Sequence, residues 1–282
     1  MAGIEAVSAL APLHNPANLA GIRAARIALP DVPHVAVFDT AFHQTMPAAA
    51  STYAIDRAVA AEYGIRRYGF HGLSYAAIVR KVKEISENDL PDRLLVFHLG
   101  NGASACAIQN GQSVASTMGY SPLDGLTMGT RAGGLDPAVV LDLAARHGVD
   151  VTARLLNRES GLFGLAGAAD MRALQTSATP ESTFARDHFA YWAARHAGSL
   201  MVAMGGLDAI VFTGGIGEKD AAIRAAILDR LAFAGVRYDT TRNAQAAAQL
   251  QETHSHVAIW IVPADEERQI ALEAMTLREG RA

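Results

Sequence analysis

Between residues 94 and 117 the chain carries three short, β-prone apolar runs in immediate succession, at 94–98, 103–108 and 112–117. Glycine-containing turns join them, the second being Asn110-Gly111. Links this short make a β-meander and exclude a βαβ unit at this point. Around the meander, short strand-like runs alternate with longer helical ones, which is the signature of an α/β protein. Upstream, Val35-Ala36-Val37-Phe38 reads as a short buried strand stopped by Asp39-Thr40. A helix is expected over 54–63, ended by Gly64, and another over 75–85. Downstream, helices are expected over 137–147, with Pro137 suited to a first turn, over 151–157, and over the Ala-rich stretch 182–204. A strand at 209–213, a glycine-rich turn, a helix at 220–233, a strand at 257–262 and a helix at 265–277 complete the pattern. The front of the chain is unusual for a nucleotide-binding α/β protein, because it opens on Ala-rich, helix-like sequence and not on a strand with a phosphate loop.

Composition narrows the chemistry. With 24 Lys+Arg against 28 Asp+Glu among 282 residues, the net charge is −4, which argues against a polybasic surface for nucleic acid or membrane. Half the residues are hydrophobic and 18% are charged, enough for one large or two modest cores. The single cysteine, Cys106, permits no intrachain disulfide, and no His/Cys spacing suits structural zinc. The most apolar stretch, 200–216, is broken by Asp208 and glycine pairs and is too short to span a bilayer. Glu5 stands where a secretory signal would want basic residues, so a cytoplasmic protein is expected.

Four segments set glycines beside hydrogen-bonding and charged residues at expected strand ends. His98-Leu99-Gly100-Asn101-Gly102-Ala103-Ser104 lies at a strand-to-strand turn, where glycine lets backbone N–H groups approach an anion, though a plain hairpin turn would look the same. Phe212-Thr213-Gly214-Gly215-Ile216-Gly217-Glu218 leads from strand to helix and suits a nucleotide, with an ordinary turn as the alternative. Met128-Gly129-Thr130-Arg131-Ala132-Gly133-Gly134 holds one arginine with no acidic neighbour in sequence, fit to stabilise charge on a moving phosphoryl group or simply to face solvent. Asp39-Thr40-Ala41-Phe42-His43-Gln44, with Tyr68-Gly69-Phe70-His71-Gly72 further on, adds a carboxylate and two imidazoles. Each of these is more often structural when it stands alone.

Taken together, the residues 37–47, 67–72, 98–104, Ser121-Pro122-Leu123-Asp124-Gly125, 128–131 and 212–218 closely resemble the signatures of the acetate kinase family, in the family's order and spacing from about residue 10 to the C-terminus. The resemblance implies an actin/hexokinase-like (ribonuclease H-like) duplicated α/β fold. It implies reversible transfer of the γ-phosphoryl of ATP to a short carboxylate, giving ADP and an acyl phosphate, with acetate as default substrate and acetyl phosphate as product. It makes Arg131 and His71 the groups that stabilise the equatorial oxygens of the transferring phosphoryl, and Asp39 an essential active-site acid. It assigns His98, Leu99, Gly100, Asn101 and Gly102 to the phosphates, and Gly214, Gly215, Ile216, Gly217 and Glu218 with Asp170, Met171 and Arg172 to the adenosine pocket. Glu266 matches the family's magnesium-associated glutamate, with Glu267 beside it as a competing assignment and Mn²⁺ as an alternative ion. Leu13, Phe70 and Pro122 match the apolar pocket around the substrate methyl group, and His14 and His43 rank as supporting residues. Such a pocket discriminates weakly, a methylene being worth about 1 to 3 kcal/mol, so propionate is a realistic second substrate.

Against the pattern, the family's first segment has no counterpart in these 282 residues, and with it go the opening strand, a first phosphate motif and a second active-site arginine. The expectation is a chain of reduced or absent turnover, prone to associate, with apolar surface exposed over residues 10–38. Ala132, Gly134 and Lys219 also depart from the family's usual residues. The domain expectation is a truncated first actin-like domain, 1–40 plus 266–282, and a nearly complete nucleotide-binding domain, 41–265. A homodimer is implied through the second domain. The competing readings are a catalytically silent nucleotide-binding remnant and, less well supported by the motifs around Asp39 and His71, an actin-like ATPase or sugar kinase.

Overall fold

The computed structural model describes residues 1–6, 15–86 and 89–280. Its centre is a five-stranded sheet in the order β3-β2-β1-β4-β5, with β1 at Arg93–Leu99, β2 at Ala103–Gln109, β3 at Gln112–Ser116, β4 at Ala209–Thr213 and β5 at Ala258–Ile261. The meander is antiparallel, running from Arg93↔Gln109 to Leu99↔Ala103 and on to β3. On its other side β1 pairs in parallel with β4, and β4 with β5. The sheet is therefore mixed, three antiparallel strands fused to a parallel pair, as the α/β expectation requires.

Helices cover both faces. Described in chain order they include α1 (Asn15–Ala28), α2 (Arg57–Tyr63), α3 (Gly72–Ile85), α4 (Pro137–His147), α5 (Val149–Arg158), α6 (Gly161–Ala166), α7 (Met171–Thr176), α8 (Pro180–Met204), α9 (Gly214–Lys219), α10 (Ala221–Arg230) and α11 (Glu266–Arg278). Several ends are written in the sequence. Asp56 caps α2 through the amides of Ala58 and Val59, and Gly64 ends it in the left-handed conformation. Asp136 with Pro137 starts α4, and Thr179 with Pro180 starts α8 before Gly205 closes it.

Period-two alternation along β1 divides the core. Leu95, Phe97 and Leu99 point to a large cluster that includes Phe189, Ala190, Ala193 and Ala197 of α8, whose small side chains let the helix lie close to the sheet. Leu94 and Val96 point the other way, to Tyr75, Ile78 and Val82 of α3 and to Trp260 of β5. Because both faces are buried, the strands read as continuous apolar runs.

Three expectations are corrected. Val35 to Phe38 is not a strand: no ladder partner reaches it among the described residues, and Val35 and Phe38 stand 41% and 52% exposed. Four apolar residues without a neighbouring strand cannot satisfy their backbone as sheet. The glycine-rich stretch after β4 forms the short helix α9, not a turn. The helix expected over 220–233 stops at Arg230, followed by a 3₁₀ turn, Ala232–Ala234, ahead of left-handed Gly235. The expected exposure of apolar residues near the front is seen at Ile27, Leu29 and Val32 as well.

Phe97 and Phe212, neighbours on β1 and β4, stack 5.3 Å apart with no exposed surface. Phe97→Ala should cost about 3 to 5 kcal/mol of stability, measured as a lowered urea midpoint with unchanged slope.

Candidate active site

Parallel pairing of β1 with β4 puts His98 opposite Thr213, so the turn after β1 and the start of α9 emerge side by side at one end of the sheet. This is the end where ligands collect in open α/β sheets. The approach is close: at Gly214, with φ +78°, a β-carbon would lie 2.7 Å from the Leu99 carbonyl oxygen. The Gly214 amide donates to Glu218 Oε1 at 3.1 Å, and the Ala264 amide, beyond β5, donates to the same oxygen at 3.0 Å. Glu218 thus ties together the two strand ends. Below it the fully buried Arg224 donates to the carbonyls of Gly217 and Glu218, each at 2.9 Å, and fixes the last turn of α9.

On the other side of the β1 turn lies the loop bearing Arg131. The Gly129 amide donates to the Asn101 carbonyl at 3.0 Å, docking this loop on the 100–102 turn. The Leu162, Phe163 and Ser160 amides bind the carbonyls of Met128, Gly129 and Thr130, so α6 supports the loop from behind. Arg131 Nη1 donates to the Pro122 carbonyl at 2.7 Å. No ion pair holds Arg131 among the described residues, and burial pulls its pKa down. A desolvated guanidinium without a carboxylate is a receptor for an anion.

His71 reaches the same place from α3. It holds left-handed φ at +58° as the N-cap residue of that helix. Asp39 stabilises this conformation: its Oδ2 accepts from the His71 amide at 2.7 Å, its Oδ1 from the Leu73 amide at 3.3 Å, and its carbonyl from the Gly72 amide at 2.8 Å. A carboxylate at a helix N-terminus also meets the positive end of the dipole. A β-carbon at Gly102 would lie 2.9 Å from Arg131 Nη2 and 3.5 Å from His71 Nε2, so both side chains face the bare backbone at that position. His98 stacks on His71 with ring centroids 4.2 Å apart, and its Nδ1 bonds the Ser74 hydroxyl at 2.8 Å. Burial first, and the neighbouring His71 second, push the His98 pKa down to about 3.

Comparison with known proteins gives the family. The model of the acetokinase family matches residues 1–272. The chain belongs to the acetokinase family. It is 46% identical to the acetate kinase of Clavibacter michiganensis subsp. michiganensis over 99% of this chain and 73% of that one. Among solved structures, a propionate kinase from Francisella tularensis subsp. tularensis superimposes with a TM-score of 0.91 at 40% identity, covering 96% of this chain and 71% of that one. Porphyromonas gingivalis acetate kinase gives the same TM-score at 37% identity, covering 98% and 71%. The fold is accordingly actin/hexokinase-like, and the chain spans less than three quarters of the length of these relatives.

Other family-matched residues fall around this centre in different ways. Glu266 opens α11 with its carboxylate 4.0 Å from His98, and burial together with the Asp39 charge raises its pKa. Glu267, one residue on in the helix, is exposed. Phe70 is partly buried, its carbonyl bonded to His43, and Pro122 meets Arg131 through its carbonyl. Asp170 caps α7 and pairs with Arg172 at 2.6 Å on the surface, which holds the Asp170 carboxyl down at about 2, while Met171 is buried in the core. The adjoining Ala169 borders the Arg131 loop at Gly129. Leu13 and His14 lie outside the described residues. The sequence reading passed over Ser74 and Tyr75 and gave Ser104 no role. The signal was the helical spacing of Tyr75 four residues beyond His71, which puts both on one face of α3.

No group of three or more His, Cys, Asp or Glu is arranged to hold a metal among the described residues. Magnesium, however, takes one or two carboxylates, with water and phosphate completing its shell. Glu266, half-desolvated and repelled by Asp39, fits that requirement.

His43 is 1% exposed, its Nδ1 bonded to Ser113 Oγ at 2.8 Å and its Nε2 to the Phe70 carbonyl at 2.9 Å. Burial lowers its pKa below the ordinary 6.5, against weaker raising effects of the Phe70 carbonyl and Asp39. Between that lowered value and 6.5 the unfolded chain binds a proton that the folded chain refuses, so stability is retained above pH 6.5 and falls as pH drops below it. His43→Asn should flatten the decline in urea midpoint between pH 7 and pH 5, by at most about 1.4 kcal/mol per pH unit.

Proposed function

We propose that this chain carries the phosphoryl-transfer site of an acetate kinase, ATP + acetate ⇌ ADP + acetyl phosphate. The observation that carries the reading is the convergence of Arg131 and His71 on the backbone at Gly102, beside the turn after β1. A loose phosphoryl transition state needs positioning and charge stabilisation more than covalent chemistry. Arg131, desolvated and without a carboxylate partner among the described residues, neutralises the equatorial oxygens, and His71 donates a hydrogen bond to them. Pro122 aims the guanidinium through its carbonyl. Asp39 acts by holding His71 and the start of α3 in place and by keeping the far side of the site negative.

In this reading the amides of the turn 98–102 cradle the phosphates, while Gly214 to Glu218 and the segment 170–172 border the adenosine. Glu218 and Asp170 serve there as structural ties, since their carboxylates are engaged by backbone amides or by Arg172. Glu266 would hold Mg²⁺, with Mn²⁺ as a substitute, and the ion supplies charge neutralisation of the nucleotide phosphates when bound. Phe70 and Pro122 bound the acyl group. The residues 41–265 form the nucleotide-binding domain, and 1–40 with 266–282 belong to its partner, consistent with the exposed apolar side chains from Ile27 to Phe38. A cytoplasmic homodimer completes the proposal.

Arg131→Ala should lower kcat by about two to three orders of magnitude with little change in the KM for ATP or acetate, read by trapping acetyl phosphate as its hydroxamate. An effect confined to the acetate KM would remove Arg131 from the transition state. Propionate is the second reading, a propionate kinase being among the similar solved structures. The ratio of kcat/KM for acetate and propionate should fall within about 10- to 200-fold, as one methylene allows.

A further inference from the structure

Behind His71, on the side away from Arg131, lies a short chain of buried hydroxyl groups. Ser104 Oγ is 2.8 Å from His71 Nδ1 and hydrogen-bonds the Tyr75 hydroxyl. Tyr75 and Ser104 have no exposed surface. We propose that Tyr75, acting through the Ser104 hydroxyl, is a positioning residue that fixes His71 as the neutral tautomer with its ring proton on Nε2, aimed at the phosphoryl seat. The inference rests on the role proposed above for His71 and adds how that role is set.

The argument is one of donors and acceptors. Burial, reinforced by Cys106 and Asp39, raises the Tyr75 pKa far above 10, so the phenol keeps its proton. A buried O–H must donate, and Ser104 Oγ is the acceptor at hand. Ser104 owns one proton. With the Tyr75 proton already on its oxygen, that proton goes to His71 Nδ1, which can accept it only if it carries none of its own. The ring proton therefore sits on Nε2, the atom 3.5 Å from the β-carbon position at Gly102 and on the Arg131 side. In the opposite tautomer, Nδ1–H and the phenol would both donate to Ser104, and the Ser104 proton would be left in a dry site without an acceptor. Such a tautomer would also turn the Nε2 lone pair, not a donor, towards phosphate oxygens. Charged groups around the ring divide: Arg131 disfavours a cationic His71, whereas the Asp39 carboxylate at its amide and Glu266 beyond the neutral, stacked His98 favour one. The hydroxyl chain decides the balance by specifying which nitrogen must remain an acceptor.

The test is ¹⁵N NMR of the histidine rings of the whole chain, ligand-free at pH 7.5, with His71 assigned by its loss in His71→Gln. Nε2-protonated, neutral His71 is expected. A His71 protonated on Nδ1, or on both nitrogens, would overturn the proposal without any variant. Tyr75→Phe removes one oxygen and keeps the ring that packs against Ile78 and Val96, and it should move part of the His71 population away from the Nε2–H tautomer. Ser104→Ala should do the same more completely, and an unchanged tautomer in both variants would remove Tyr75 from the role. In the acetyl phosphate assay Tyr75→Phe should lower kcat about tenfold with the KM values for ATP and acetate held, whereas a rise in KM at unchanged kcat would count against it. The ring spectra need no substrate, so failure of the tautomer and failure of the kinase reading are separately visible.

Discussion

Arg131 and His71 meet across a position that carries no side chain. Any β-carbon at Gly102 would press on the guanidinium, and the rest of the site is built to keep that space open and lined. The β1–β2 turn supplies the bare backbone, the loop from Pro122 to Arg131 supplies the cation, and the start of α3 supplies the imidazole. These come from distant parts of the chain. Their convergence therefore depends on the fixed register of β1 against β2 and on the amide contact from Gly129 to Asn101. Neither strand could slip by one residue without turning its side chains to the opposite face.

The mixed sheet explains why the same turn faces two ways. Antiparallel pairing returns β2 directly from β1 and makes the turn tight, while parallel pairing with β4 brings α9 against that turn from the other side. A purely antiparallel sheet would place a hairpin at that end, and a purely parallel one would replace the meander with helical crossovers. The combination brings the β1–β2 turn and α9 together at one end of the sheet, where Glu266 of α11 stands 4.0 Å from His98.

Local patterning made most of this legible. The meander, both parallel strands, α4 and the long α8 follow from apolar runs, from Pro137 and from glycine punctuation. Val35 to Phe38 was misread because an isolated apolar run says nothing about whether another strand lies beside it. The glycine-rich stretch after β4 was read as a turn because glycine propensity opposes helix, and the contacts of Glu218 and Arg224 override that weak preference. The family motifs named Arg131, His71 and Asp39, but not how they are held. That Asp39 fixes the start of α3, that Pro122 acts through its carbonyl and that Ser104 bonds His71 are tertiary facts with no local signature. That Glu266 is half-buried near His98 while Glu267 is exposed is likewise set by tertiary packing.

A site of this kind is in tension with the stability of the chain that bears it. Arg131 is desolvated without a carboxylate, Glu266 faces the like charge of Asp39, and His71 keeps a left-handed backbone. Each is unfavourable taken by itself, and the first is the kind that an anion against the guanidinium would relieve. The compensation comes from elsewhere: a sheet buried on both faces, α8 laid against it by alanines, and Asp39 satisfying the first amides of α3 and so stabilising the left-handed His71. Any ligand that binds this arrangement only in the folded chain raises its stability by mass action. The double-faced core is what lets the fold tolerate these groups.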